Sequence, residues 1–271
     1  MADEQEKIDF SHSNTDLMAS IAVIFLLLAV AMILANSAAV SKAENAQEKL
    51  NAERNEFNNE IRDLLDLPPG GKDVSDDGCI RVINDDLKSE IRIRFIDGHS
   101  AGGERCRGLT FGTAKFELDG DGDSKNILIK LARISSRACQ KKSVGKDSPI
   151  WRLSIEGHTD TDRYLDFKRS DCKDPSEEFC GNLYLSAQRA REVYLWIART
   201  MATDQKISRD KQCFEKMALI SGRGPLDPVE EGDRETAAVD DEADSNLDGK
   251  QSNRRVEYIV HFKVAKIEAS K

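Results

Sequence analysis

One uninterrupted apolar segment near the start of the chain constrains the fold more than any other feature. Residues 17–35 form a run of 19 in which Ser20 is the only polar side chain. As an α-helix this run would be roughly 28 Å long, close to the thickness of the hydrocarbon core of a bilayer. A cleaved signal peptide is the alternative, but the run is long for one and no basic region precedes it. We therefore predict a retained transmembrane helix over residues 16–40.

The charge of the chain excludes one large class of partners. Aspartate and glutamate number 49 against 40 lysines and arginines, which gives a net charge of −9. Because nucleic-acid binding needs a basic face for the phosphates, we expect no nucleic-acid partner. Outside the apolar segment the chain is polar, which predicts one modest core with solvated loops. A purely cytosolic enzyme and a polytopic transporter are both disfavoured.

Six cysteines, at positions 79, 106, 139, 172, 180 and 213, all follow the apolar segment. An even number in a non-cytosolic segment indicates disulfides, and six unrelated free thiols are the alternative. Among the fifteen pairings that six cysteines allow, Cys172 with Cys180 brackets a short polar stretch, and Cys139 with Cys213 is a second candidate. Because the sequence contains no CxxC pair, we predict no zinc site. We expect no metal and no cofactor.

The segment after the apolar run has the composition of a helix. Ala43, Leu50, Phe57 and Leu64 recur every seven residues, which suits a short parallel dimer of helices. A solvated helix with chance spacing is the alternative. A Pro-Pro-Gly-Gly stretch at 68–71 then ends the helix. We divide the chain into a tail (1–15), the transmembrane helix (16–40), a helical dimerisation linker (41–77), a folded domain (78–264) and a C-terminal tail (265–271).

Strand and helix patterns alternate through the folded domain. Period-two alternation of apolar and polar residues predicts strands, and apolar residues at helical spacing predict helices. The predicted strands are 79–84 and 91–96, which alternate, the strand-like segments 151–156 and 256–264, and the short apolar run 217–221. The predicted helices are 126–139 and 183–202. We therefore predict an α/β fold in which helices pack on one mixed sheet.

Three motifs in this domain indicate more than a fold class. Ile-Glu-Gly-His-Thr-Asp (155–160) leaves a strand through a glycine and ends on a carboxylate. Asn-Leu-Tyr-Leu-Ser-Ala-Gln-Arg-Ala (182–190) opens a helix, and Asn-Arg-Arg-Val-Glu (253–257) precedes the last strand. In this order and spacing they resemble the OmpA-like peptidoglycan-binding domain, over residues 91–264. The segments 109–112 and 222–228 fall where that family has its FxxG-type and GxGxxxP-type elements.

The resemblance implies recognition of diaminopimelate, a zwitterion in the stem peptide of peptidoglycan. It implies that Asp160 pairs with the ammonium group and that the arginine fork of Arg189 holds the carboxylate. Asn182 and Arg255 occupy motif positions that line the same pocket. The alternatives are a turn-capping carboxylate for Asp160 and a surface charge for Arg189. Residues 161–181 depart from the family, because this connection is longer and acidic and holds two cysteines.

Asp16 stands at the start of the apolar helix. On its own it would be interpreted as a helix N-cap. The combination of Asp16, the apolar helix, a helical linker and an OmpA-like domain resembles the MotB class of ion-motor subunits. Within that class it is most similar to the ZorB family of Zorya anti-phage systems. Flagellar MotB is the second choice, since its basic N-terminus is not seen here.

The resemblance to this class implies a mechanism. Asp16 is implied to carry protons, and two copies of the chain are implied to sit inside a ring of a MotA-like partner, called ZorA in Zorya. It also implies a bacterial inner-membrane protein with a cytoplasmic N-terminus and a periplasmic domain that grips peptidoglycan. We expect no enzymatic activity. A passive tether between membrane and wall is an alternative, and a wall hydrolase is a weaker one because no paired catalytic carboxylates are evident.

Overall fold

The computed structural model describes most of the chain outside its long loops. The described residues are 2–67, 74–75, 78–96, 109, 111, 117–118, 122–143, 148–159, 177–224 and 254–264; the side chains of 2–15, 122, 142–143 and 177–180 are not included. The chain divides into two compact units. We call Met1–Ala52 with Val264–Lys271 the N-terminal unit, and Glu53–Lys263 the sheet unit.

A single helix, α1, runs from Ala2 to Leu64. Its sequence contains neither glycine nor proline, so nothing in the backbone chemistry interrupts it. Within the part of the chain that the structure describes, α1 is the one helix long and apolar enough to cross a membrane, and its most apolar stretch is not buried. Side chains such as Phe25 and Leu26 remain 66% exposed, a surface suited to lipid.

A mixed five-stranded sheet organises the sheet unit. Its strands are β1 (Ile80–Asp85), β2 (Glu90–Ile96), β3 (Ile150–His158), β4 (Ala218–Gly224) and β5 (Arg255–Phe262). The strand order is β1-β2-β5-β3-β4. Strands β3 and β4 run parallel, and the other neighbours run antiparallel. The predicted mixed sheet is confirmed, with each predicted strand present to within one to three residues at its ends.

In the described parts of the sheet unit, three α-helices follow: α2 (Gly122–Ser143), α3 (Glu177–Thr203) and α4 (Lys211–Met217), the last preceded by a 3-10 turn at Ser208–Asp210. Helices α2 and α3 confirm the two predicted helices. Helix α4 was not predicted, because its 7 residues are too few to show a helical period.

The two faces of the sheet differ in chemistry, because successive strand residues point to opposite sides. Tyr258 on β5 is fully buried, pairs with Ile155 and Ile93 on its neighbours, and contacts Ser135 of α2 through its hydroxyl. This helix-covered face carries the apolar core. The residue before it, Glu257, lies on the opposite face, where the side chains are largely charged.

The last turns of α1 belong to the core of the sheet unit. Phe57 and Ile61 of α1, and Leu65 directly after it, are at most 5% exposed. The ring of Phe57 meets that of Phe262 edge-on, with centroids 5.8 Å apart. The compact unit therefore begins inside the segment 41–77, which we predicted to be a dimerisation linker. Packing within one chain accounts for the spacing at Phe57, while a dimer seam through Ala43 and Leu50 stays a prediction.

A disulfide joins α2 to α4. Cys139 and Cys213 are bonded, with their Cα atoms 5.7 Å apart and 74 residues apart in sequence. Cys79 is disulfide-bonded as well. The predicted pair Cys172–Cys180 lies outside the described residues. The long loop closed between Cys139 and Cys213 restricts the unfolded chain and so stabilises the fold.

Two glycines let α3 lie directly on the backbone of β3 and β4. A Cβ atom at Gly157 would stand 1.9 Å from the carbonyl oxygen of Ser186, and one at Gly222 would stand 2.6 Å from the backbone nitrogen of Ala187. Both obstacles belong to the helix backbone, which cannot rotate aside as a side chain can. The glycines of the two motifs are therefore required by helix-to-strand packing.

We predict that Gly157→Ala destabilises the sheet unit by at least about 1–3 kcal/mol, because the added methyl group forces α3 away from β3. The measurement is the free energy of unfolding of the full chain in detergent. Ser221→Ala is the control, since Ser221 lies on the other face of β4 and its hydroxyl has no hydrogen-bond partner among the described residues. Equal stability of the two variants would contradict the packing argument.

Candidate functional site

The end of β3 meets the first half of α3. The hydroxyl of Thr159, the residue after β3, donates to the main-chain carbonyl of Asn182 at 3.4 Å, and its amide donates to the carbonyl of Gly224 at 3.3 Å. The hydroxyl of Ser186 accepts the amide of Gly224 at 3.0 Å. These bonds connect the ends of β3 and β4 to one stretch of α3.

Two of the predicted binding residues lie on this stretch. Asn182 and Arg189 are each 2% exposed, so neither is an ordinary surface side chain. The guanidinium carbon of Arg189 lies 5.1 Å from the centroid of the Phe111 ring, a distance suited to a cation–π contact. Asp160, which follows Thr159 in the sequence, lies outside the described residues.

Arg255 lies at the same end of the sheet but on the other face. It pairs with His158, whereas its neighbour Val256 pairs with Gly157, the residue that contacts α3. Because adjacent strand residues point to opposite sides, the side chain of Arg255 leaves the sheet on the face away from α3. The predicted pocket residues therefore share one end of the sheet, with Arg189 and Arg255 on opposite faces.

A buried cluster of charges around Glu257 was not found from the sequence. The Glu257 carboxylate is fully buried, and it accepts from Arg92 at 2.7 Å, from Arg94 at 2.9 Å and from Arg255 at 2.7 Å. Burial alone would raise the pKa of Glu257, but the positive charges of Arg255 and its neighbours lower that pKa to about 2. The carboxylate is thus ionised throughout the physiological range.

His158 is buried beside this cluster. It is 0% exposed, and its Nε2 is 3.9 Å from Oε2 of Glu257, too far for a hydrogen bond. Neither ring nitrogen has a hydrogen-bond partner in the described parts of the chain. Burial, followed by the charge of Arg255, lowers the pKa of His158 to about 3, so the ring is neutral at pH 7.

Glu156, His158 and Glu257 present ligand atoms within 4.8 Å of one another, a spacing that a metal ion could use. Their electrostatic setting opposes a cation, however. Glu156 accepts two hydrogen bonds of 2.9 Å from Arg223, and Glu257 is already paired with arginines. A divalent ion would meet several guanidinium groups at close range. The cluster is therefore better suited to holding arginines than a metal.

Asp16 lies inside α1 and not at its start. Because α1 begins at Ala2, the unpaired amides of its first turn are far from Asp16 in sequence, so the N-cap interpretation of this residue is wrong. Asp16 is exposed, and the hydroxyl of Ser20 donates to its main-chain carbonyl at 2.9 Å. The acceptor of this hydrogen bond is therefore the backbone of Asp16 and not its carboxylate.

The chain is similar to several solved structures. The chain is similar to a putative MotB-like protein from Desulfovibrio vulgaris, at 18% identity and a TM-score of 0.48, over 80% of this chain and 99% of that one. It is similar to the periplasmic domain of Helicobacter pylori MotB (12%, 0.41, over 71% and 85%). It is also similar to the OmpA-like domain of FopA1 from Francisella tularensis (14%, 0.36, over 74% and 96%). No protein-family model and no curated protein matches the chain. These values assign neither a family nor a ligand.

We predict that the sheet unit loses stability as the pH falls below about 6.5, because of His158. The pKa of this histidine falls from 6.5 to about 3 in the folded protein, so between these values the unfolded chain binds the proton and the folded chain does not. The contribution of neutral His158 to the free energy of unfolding is therefore fully present above pH 6.5. It decreases towards pH 3 by up to about 1.4 kcal/mol per pH unit. Urea unfolding from pH 7.5 to 4.5 measures the slope.

The His158→Gln variant is the comparison for this pH series. Its stability should change less between pH 6.5 and 4.5, since glutamine does not titrate. Below about pH 4.5 both proteins should lose stability, because the pKa of Glu257 and that of Glu90 lie near 2 in the folded state. Parallel curves above pH 4.5 would show that another group is responsible.

Proposed function

We propose that this chain is a membrane-anchored protein that binds peptidoglycan through the sheet unit, as a MotB-like subunit with an OmpA-like domain. The observation that carries the proposal is the burial of Arg189 and Asn182 on α3 next to the end of β3, where the sequence continues into Asp160. A buried arginine fork, together with the carboxylate that the sequence supplies at Asp160, suits a ligand with both charges. The exposed apolar surface of α1 provides the membrane anchor.

The proposed ligand is the diaminopimelate end of the stem peptide. Its carboxylate pairs with Arg189 and its ammonium group with Asp160, while Asn182 and Arg255 complete the recognition of the same group. The burial of Arg189 favours this role, because a charge-assisted hydrogen bond is stronger where water is excluded. The face of Phe111 on Arg189 holds the guanidinium in place for a ligand.

We further propose that the chain is the ZorB component of a Zorya phage-defence system. In this role Asp16 takes up and releases protons inside a ring of the ZorA partner, and two copies of the chain form the axis. An aspartate inside a membrane helix is costly unless it has a function, which supports a proton-carrying role. The position of Asp16 within α1 supports the proposal, because it removes the cap as the reason for a carboxylate there.

The wall-binding proposal predicts that Arg189→Ala lowers the affinity for meso-diaminopimelate peptidoglycan about 10- to 150-fold, the value of a charged hydrogen bond of about 1.5–3 kcal/mol. Arg189→Lys keeps the charge but loses the fork, and should be intermediate. The matched control is Arg191→Ala on the exposed side of the same helix, which should bind like the wild type. The measurement is a pull-down of the full chain by purified walls, with thermal unfolding to verify the fold. Equal retention of the wild type and the Asp160→Ala, Arg189→Ala double variant would refute the site.

The motor proposal predicts that Asp16→Asn abolishes function while insertion, partner assembly and wall binding persist. Asparagine keeps the shape and polarity of aspartate but cannot carry charge. Each proton that crosses about 100 mV releases roughly 2.3 kcal/mol, and this supply would be lost. Phage protection and swimming are measured in cells that also express the ring partner, with Asp9→Asn in the polar segment as the control.

The phenotypes in this experiment separate the alternatives. Loss of phage protection supports the Zorya role, and loss of swimming instead supports a flagellar MotB-type subunit. If Asp16→Asn performs as the wild type does, no proton passes through this residue, and the chain is a passive tether between membrane and wall.

A further inference from the structure

One buried carboxylate joins three arginines at the start of β5. Oε1 of Glu257 accepts from Nε of Arg255 at 2.7 Å and from Nε of Arg94 at 2.9 Å. Its Oε2 accepts from Nη1 of Arg92 at 2.7 Å. The side chains of Arg255 and Glu257 are at most 1% exposed. Because the guanidinium group is planar, a bond at Nε fixes the direction in which the whole group points. The orientation of Arg255 thus depends on Glu257.

Arg255 lies on β5 opposite the end of β3, next to the start of the proposed site. Arg255 pairs with His158 across β3 and β5, and Thr159 then leads from β3 into Asp160. Arg255 therefore lies at the end of the sheet from which the chain continues into Asp160, the proposed ammonium-binding residue. Glu257 is two residues further along β5, on the same face of the sheet as Arg255.

His158 does not compete with the arginines for the carboxylate of Glu257. Its Nε2 is 3.9 Å from the nearer carboxylate oxygen, and the neutral ring offers no charge to compete with the arginines. Arg92 also donates from Nη2 to Oε1 of Glu90 at 2.6 Å. The guanidinium that binds Glu257 is therefore itself fixed in position. The chain of contacts from Glu90 through Arg92 and Glu257 to Arg255 is continuous.

We propose that Glu257 is a positioning residue for the stem-peptide carboxylate: it holds the guanidinium of Arg255 in its binding orientation without touching the ligand. The inference rests on the proposed wall-binding function. An arginine that is already immobilised loses little conformational freedom when the ligand arrives, so the affinity for the carboxylate rises. Arg189 approaches from the α3 side, and Arg255 contributes from the other face of the sheet.

The test compares two soluble stem peptides on the full chain in detergent. One peptide has the free diaminopimelate carboxylate, and in the other that carboxylate is amidated. The dissociation constant of the amidated peptide divided by that of the free peptide measures carboxylate recognition. Glu257→Gln keeps the shape of the side chain and removes its charge, and it should lower this ratio roughly ten-fold. Arg255→Gln should lower the ratio equally, and the double variant should lower it no further, because both changes remove one contact.

The control is Glu156→Gln. Glu156 is a buried carboxylate on the same face of the sheet, but it pairs with Arg223. A purely structural loss would weaken both peptides alike in either variant and leave the ratio unchanged. Glu257→Asp keeps the charge with a shorter reach, and it should retain part of the ratio.

The outcomes separate the inference from the function on which it rests. A wild type that binds the free peptide, together with an unchanged ratio in Glu257→Gln, overturns the positioning role and leaves wall binding intact. If Glu257→Gln fails to fold, Glu257→Asp and Arg255→Gln decide in its place, and a wild-type ratio in either overturns the inference. A wild type that binds neither peptide overturns both proposals.

Discussion

The close packing of α3 on β3 and β4 is the constraint on which the rest of the sheet unit depends. Gly157 and Gly222 present only backbone, so the helix lies at a distance that no other residue type permits. At that distance the hydroxyl of Ser186 reaches the amide of Gly224, and Asn182 reaches Thr159. Arg189, which is buried beside Phe111, lies on the same helix, so the position of this part of the candidate site depends on helix-to-strand packing.

Local signals allowed much of this fold to be predicted. Strands β1 and β2 alternate apolar and polar residues, β4 begins with a short apolar run, and α2 and α3 are long enough to show a helical period. The existence of these elements therefore follows from the sequence. The end of α1 was not placed in the core, because the spacing of Phe57 is the same whether its partner is a second helix or Phe262 of its own chain. Only tertiary contacts decide between these partners.

The candidate site could be predicted only in part, for a related reason. Asn182 and Arg189 belong to motifs with an implied role, whereas Glu257 ends the third motif with no role assigned to it. Arg92 and Arg94 belong to an alternating charged pattern that usually marks the solvent side of a strand. In this protein Arg94 and Glu257 on that side of β2 and β5 are buried. Period-two patterning separates the two faces of a strand, but it does not say whether the second face meets water.

The burial of so much charge has an energetic implication. Removing ions from water costs several kcal/mol each, and apolar residues of similar volume often replace a buried ion pair without loss of stability. The arrangement around Glu257 is therefore poorly explained as a stabilising device. It does fix the direction of a guanidinium group at the end of the sheet, which apolar packing cannot do. The need to orient a guanidinium group, more than a gain in stability, explains why one buried carboxylate accepts hydrogen bonds from three arginines.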